Sequence, residues 1–169
     1  MEKRKMQTFD CIAKRASIRE YESRPIEKKL LEKLVDAGRR APTARAVEPW
    51  EFVVIQERRT LKKLGEIATS GSFVKDAACC IVIFCKETKY YLEDGCAATE
   101  NILLCAADLG LGACWIAGDK KPYVDEVSKL LGGGEDLKLI SLISLGWPKE
   151  EVKQRKNRSL QDVIHWEKF

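Results

Sequence analysis

The run CCIVIFC, Cys79 to Cys85, contains no charge and is built from cysteine, β-branched and aromatic residues. Such side chains suit a pleated strand packed against its neighbours, and this is the clearest strand in the chain. Neither face of it is fit for water. The longest apolar run, Ala77–Cys85, is also too short to cross a bilayer, which takes about 20 residues. The chain therefore has to cover this strand with elements of its own.

The flanking sequence offers them. Met6 to Arg15 repeats Met6, Phe9, Ile12 and Ala13 at helical spacing. Pro25 can open a second helix, with Ile26, Leu30, Leu34 and Ala37 on one face and Gly38 as its stop. WEFVVI (Trp50–Ile55) predicts a buried strand, and RTLKKLGEIA a short amphipathic helix. Leu92 to Leu109 predicts a helix whose second half, NILLCAADL, is apolar nearly all round. That half is buried on more than one side, inside the domain or against a second subunit. ACWIAG predicts a short strand ending in glycine, YVDEVSKLLGGG a helix with a glycine terminator, and LKLISLISLGW a strand closed by Pro148. There is no internal repeat, low-complexity tract or linker, and 169 residues fit one domain, 1–169. The order is that of an α+β fold: one sheet, mixed in direction, covered by helices on both faces.

Charge narrows the function classes. Thirty bases against 26 acids leave a net charge of +4, so most charge is locally balanced. A dense basic face for nucleic acid is not expected, nor is an aromatic-basic platform visible. The first residues lack the apolar core of a signal peptide, which points to a cytoplasmic protein with no membrane association. Seven cysteines lie mostly in apolar surroundings without a Cys-x-x-Cys pair, and the single histidine, His165, has no partner. They read as reduced, buried thiols rather than as a metal site or a disulfide framework.

Few stretches carry a mechanism. GLGACW has only two of the glycines of a dinucleotide fingerprint and runs from a helix into a strand, the wrong context for a Rossmann turn. LGGGED lacks the Lys-Ser/Thr of a phosphate loop. No hydrolytic triad can be built around His165. The segment KRASIREY is more specific. In an extended chain Arg15, Ser17 and Arg19 project to one side, while Ala16 and Ile18 face the other. Two guanidinium forks around a hydroxyl suit a phosphate or another fixed anion, since each fork can donate two parallel hydrogen bonds. A solvated charged loop is the other reading of the same residues.

KRASIREY, followed by RPIEKKLLEKLVDAGRRAPTARAVEPWEFVVI, resembles the start of the nitroreductase family of FMN-dependent oxidoreductases. ENILLCAADLGLGACWIAG is similar to that family's central helix and flavin-contacting strand, and RKNRSLQDVIHWEKF to its basic tail. The likeness spans nearly the whole chain in order and fits the short, single-domain members. It implies a homodimer with composite sites, in which both ends of each chain converge on FMN.

By that resemblance Arg15 and Ser17 grip the phosphate or ribityl chain with the Ala16 backbone alongside, and Arg19 lies toward the pyrimidine edge of the ring. From the tail, Lys156 and Arg158 return to the phosphate, or Arg155 in a register shifted by one. Ala117 and Gly118 present backbone N–H groups near flavin N5, with glycine allowing close approach. Pro42, Thr43 and Ala44 reach the flavin of the other subunit. The implied activity is transfer of hydride from NADH or NADPH to the flavin, then reduction of a nitroaromatic or quinone by a ping-pong route, with no catalytic acid or base from the chain. An FMN-binding sensor or carrier with little turnover is the rival reading. It is kept open by the departures from the family pattern, Ala46 in place of Asn and Glu48 in place of Gln. The pattern's second Arg is Ala16, and no lysine before CIVIF is assigned, although Lys75 lies close by. The chain also lacks room for the larger members' helices over the substrate site.

Overall fold

The computed structural model describes residues 7–169. Its four strands, β1 (Trp50–Ile55), β2 (Cys79–Lys86), β3 (Gly112–Ala117) and β4 (Leu137–Gly146), form one sheet in the order β1-β2-β4-β3. All three ladders are antiparallel, and the single parallel contact with a named strand is an isolated bridge between Ser17 and Ala113. The mixed direction expected of the sheet thus comes down to that one residue pair.

β2 pairs with a strand on each side, and residues Cys79 to Cys85 are all buried. Cys79, Ile81, Ile83 and Cys85 face α2 (Lys28–Gly38) and α4 (Tyr91–Asp108), where they meet Leu31, Leu34, Ala98 and Ile102. Cys80, Val82 and Phe84 face α3 (Arg58–Ile67), a 3-10 stretch Thr69–Asp76 and α5 (Val124–Leu131), where they meet Leu61, Leu64, Val74 and Val127. The period of two along the strand sorts its side chains into two separate cores.

One extra residue interrupts β4. Ile83 pairs with Ser141 and Phe84 with Leu139, leaving Ile140 without a partner on β2. In this bulge the Ile140 carbonyl accepts the N–H groups of Gly118 at 3.0 Å and Asp119 at 3.3 Å. Its side chain points at α4, where a Cβ on Gly95 would sit 2.6 Å from Ile140 Cγ1. Glycine at 95 is a packing requirement of the bulge. Beside it, Thr99 donates to Gly95 O and shares a 2.8 Å hydrogen bond with Ser141 Oγ, so these buried hydroxyls are satisfied.

Several elements depart from expectation. The second helix begins at Lys28, because the carbonyls of Pro25 and Ile26 accept from Trp147 Nε1 (3.2 Å) and Gln56 Nε2 (3.0 Å) and stay extended. β1 is an edge strand with Glu51 and Val54 exposed, since only β2 pairs with it. The first helix, α1 (Thr8–Lys14), buries Cys11 alone and exposes Phe9 and Ile12; the expected Met6 lies outside the described residues. The apolar half of α4 is largely covered by its own chain, with Ile102, Leu103 and Ala106 buried. α5 ends as expected at a left-handed glycine, Gly132, with φ 73°.

All seven cysteines are free thiols. Burial, the largest cause in every case, pushes each thiol up from its ordinary value of 9.0, Cys79 and Cys85 to about 12. The unfolded chain therefore loses these protons before the folded one does. Stability should be intact below pH 9 and should fall as pH rises from 9 toward 12, by about 1.4 kcal/mol per pH unit for each fully protected thiol. Urea unfolding at pH 8.5 and 10 measures this, and Cys79→Ala with Cys85→Ala should flatten the slope. Equal stability at both pH values would contradict the assignment.

Candidate functional site

The segment after α1 is pinned to the sheet rim. Ile18 N donates to Ala113 O at 3.0 Å, and Ile18 is buried beneath Tyr21 and Ala77. With Ile18 inward, Ser17 and Arg19 turn outward, as the extended alternation predicts. Beyond Ile18 the chain leaves β3: Tyr21 forms an antiparallel bridge with Pro148 and Glu22 N donates to Trp147 O at 2.8 Å, beside the start of β3 at Gly112. Arg19 lies over the Phe73 ring at 5.7 Å and donates to Ser17 O at 3.4 Å. Arg15 meets Glu100 of α4 at 3.7 Å.

The three side chains also lie within electrostatic reach of Cys114 on β3. Burial pushes its thiol up, while Arg19, the Ser17 hydroxyl and Arg15 each pull it back. Two guanidiniums, one turned to α4 and the other to the 3-10 stretch, thus flank the outward Ser17 at the sheet edge. This donor set suits an anion with several oxygens.

The tail comes back to the same place, held by a residue that the sequence did not single out. Gln154 Nε2 donates to Arg15 O at 2.9 Å and Ile12 O at 3.2 Å. Arg155 and Lys156 follow directly and are exposed. Arg158 lies further on and donates to Asp162 O within a local turn in which Ser159 N bonds Asp162 Oδ2 at 2.8 Å. A recess of about 200 Å³ beside Arg15, Ala16 and Ile18 is closed by Ala113 and Val152, so N-terminal segment, β3 and tail meet there.

The end of β3 differs from expectation. The Gly118 N–H is engaged by Ile140 O, and a Cβ on Gly118 would lie 2.9 Å from the Ile140 carbonyl. Glycine is needed there to fit against β4. Ala117 is the exposed residue at that edge, and its carbonyl accepts from Tyr123 Oη.

Pro42, Thr43 and Ala44 form a second group. Thr43 Oγ1 donates to Asp94 Oδ2 at 2.8 Å, and Ala44 N to Asp94 Oδ1 at 3.2 Å. The same Thr43 oxygen accepts from Glu48 N at 3.2 Å. Asp94, 5% exposed on the first turn of α4, thereby clamps a loop in which Arg45, Ala46 and Glu48 all have left-handed φ of 50–58°. Each such residue costs about 1–2 kcal/mol, so the clamp offsets real strain. Ala46 occupies a conformation that Asn adopts more readily. A recess of about 140 Å³ beside Ala44 shares no lining residue with the one beside Arg15, so the two groups are not joined within one chain.

A larger recess, about 730 Å³, contains none of the candidate site residues. Its arginines are engaged: Arg24 stacks on Trp147 at 3.9 Å, and Arg58 donates to the Ala77 and Lys75 carbonyls. Among the described residues no cluster of three His, Cys, Asp or Glu is placed to hold a metal. No helix there is long and apolar enough to cross a membrane.

The nitroreductase family profile matches residues 12–88 and 70–147. A protein of Archaeoglobus fulgidus, provisionally named an NADH dehydrogenase/NAD(P)H nitroreductase, is 37% identical over 92% of this chain and 94% of its own. A crystal structure from Bacteroides thetaiotaomicron with the same provisional name superposes with a TM-score of 0.91 at 28% identity, covering 96% of this chain and 98% of that one. An FMN-dependent nitroreductase from Clostridium difficile R20291 gives 0.87 at 30% identity, covering 94% and 98%.

The clamp makes a measurable claim. Thr43→Val should cost about 1–3 kcal/mol of stability, because Glu48 N and one Asp94 oxygen lose their partner, whereas Thr43→Ser should stay near the native value. Asp94→Ala should cost a similar amount, and combining it with Thr43→Val should add little. Urea denaturation of the four variants decides, and a Thr43→Val protein as stable as the native one would refute the clamp.

Proposed function

The chain belongs to the nitroreductase family, and from that premise we propose that it is an FMN-dependent oxidoreductase. It takes reducing equivalents from NADH or NADPH and passes them to an electron-poor acceptor of nitroaromatic or quinone type, in two half-reactions at one site. The observation that carries the reading is the pinning of the Arg15–Arg19 segment to the edge of β3 through Ser17 and Ile18, with the tail tied to Arg15. When bound, FMN supplies the two-electron chemistry; the chain holds it and sets the charge around it.

Arg15 and Ser17, with the Ala16 backbone alongside, would hold the phosphate or ribityl chain, and Glu100 would orient the Arg15 fork. Arg155 and Lys156 follow the Gln154 anchor and would close on the phosphate from the tail. Arg158 would have to give up its turn contact to join them. Arg19 would hold a positive charge beside the pyrimidine edge, where reduction places negative charge. At the end of β3 the ring contact falls to Ala117, since the Gly118 N–H is engaged. Seven unpaired thiols suit a reducing compartment, the cytoplasm.

Pro42, Thr43 and Ala44 serve the flavin of a second copy in this reading, and the active unit is a homodimer. Phe9 (76% exposed) on α1 and Leu160 (64%), Trp166 (81%) and Phe169 (104%) in the tail are the apolar surface offered to it. Leu103, 3% exposed, is already buried within the chain and takes no part in the contact.

Purified protein should be yellow, release FMN on denaturation and bleach rapidly with NADH or NADPH in a stopped-flow instrument. A flavin that stays oxidised would instead favour a carrier role. Arg15→Ala should weaken FMN binding about 10- to 150-fold in apoprotein titrations. Arg19→Ala should lower the midpoint potential of the saturated site, and a level or raised potential would remove that role. Phe9→Asp combined with Trp166→Asp should leave a folded monomer with poor flavin retention in sedimentation read at protein and flavin bands. A folded monomer with a full complement of FMN would defeat the composite site.

A further inference from the structure

The recess beside Ala44 has a chemistry of its own. Its walls come from the strained loop (Ala44, Arg45, Val47), from Thr88, Lys89 and Tyr90, where β2 hands over to α4, and from Asp94 on the first turn of α4. Its volume of about 140 Å³ is close to that of an apolar protein cavity known to hold benzene, about 150 Å³. Two cations stand at it, Arg45 and Lys89, and among the described residues neither has an ion-pair partner. Lys89 lies 5.2 Å over the Tyr90 ring.

The nearby acids are accounted for. Both Asp94 oxygens accept hydrogen bonds from Thr43 and Ala44, and Glu87 pairs with Lys138 at 3.1 Å. Thr88 Oγ1 is buried and, alone among the buried side-chain nitrogens and oxygens of the described residues, has no hydrogen-bond partner. A buried hydroxyl in that state is free to donate to a water or to a ligand that brings an acceptor.

We propose that this recess is the acceptor subsite and that it selects aromatic acceptors carrying an anionic group, such as a nitrobenzoate or a quinone carboxylate. The inference rests on the oxidoreductase reading, which puts the adjoining Pro42–Ala44 segment against the flavin. The ring occupies the apolar recess, the carboxylate faces Arg45 and Lys89, and Thr88 donates to an oxygen of the ligand. Reduction of 4-nitrobenzoate to 4-nitrosobenzoate takes two electrons and two protons and releases water. NAD(P)H provides the electrons and one proton as hydride, and solvent provides the second proton.

The test compares 4-nitrobenzoate with its uncharged methyl ester on the FMN-loaded native protein and on the variants Arg45→Gln and Lys89→Gln. The ester's nitro group is intrinsically easier to reduce, so the diagnostic is the change in the acid-to-ester ratio of kcat/KM between native protein and variant. That ratio should fall about fivefold in each variant, and native protein should lose the same preference as salt is raised. Calorimetric titration with benzoate, which cannot be reduced, should show matching losses of affinity in both variants. An unchanged ratio, or benzoate binding equal in native and variant proteins, overturns the proposal while ester turnover leaves the oxidoreductase reading standing. Failure to reduce either compound, with a flavin that NAD(P)H does not bleach, overturns both.

Discussion

β2 has no polar face, and the remainder of the molecule is arranged around that constraint. A central strand buried on both sides needs a hydrogen-bonded neighbour along each edge and a helical layer over each surface, or its amides and its side chains go unsatisfied. β1 and β4 meet the first need, and the α2–α4 and α3–α5 layers meet the second. Because both surfaces are filled by helices, no open sheet face is left for a ligand. What remains is the rim: the outer edge of β3, and the loop that enters β1. The two groups of candidate site residues lie there.

Much of this was legible because it depends on patterns of side chains along the chain. The uncharged run CCIVIFC named β2, the run LKLISLISLGW named β4, and the glycine after LL marked the end of α5. The misses share a different cause. Pro25 looked like a helix start, yet Trp147, 122 residues away in sequence, holds its carbonyl in an extended segment. Position in the sheet order made β1 an edge, and no local pattern records that order.

The site divides in the same way. Alternation alone put Arg15, Ser17 and Arg19 on one side, and the burial of Ile18 between them agrees. Asp94 and Gln154 could not be found in this manner. One looks like an ordinary acid in a helix's first turn, and the other like one polar residue in a basic tail. Each matters through a partner far along the chain, 51 residues away for Thr43 and 139 for Arg15. Nor does a loop reading TARAVEP, with no glycine, announce three left-handed residues. A buried carboxylate has replaced the conformational freedom that glycine would have given.

The bulge at Ile140 links two positions that a reader of the sequence would treat as independent. Removing residue 140 would bring β4 back into continuous register with β2, with Leu139 still opposite Phe84 and Ser141 still opposite Ile83. It would also take away the carbonyl that holds the end of β3 and the side chain that forbids a Cβ at residue 95. A larger residue at 95 therefore depends on position 140: the helix can accept one where the side chain at 140 has been lost or cut back. In this chain an extra residue in a strand and a glycine in a helix answer one packing problem from two places in the sequence.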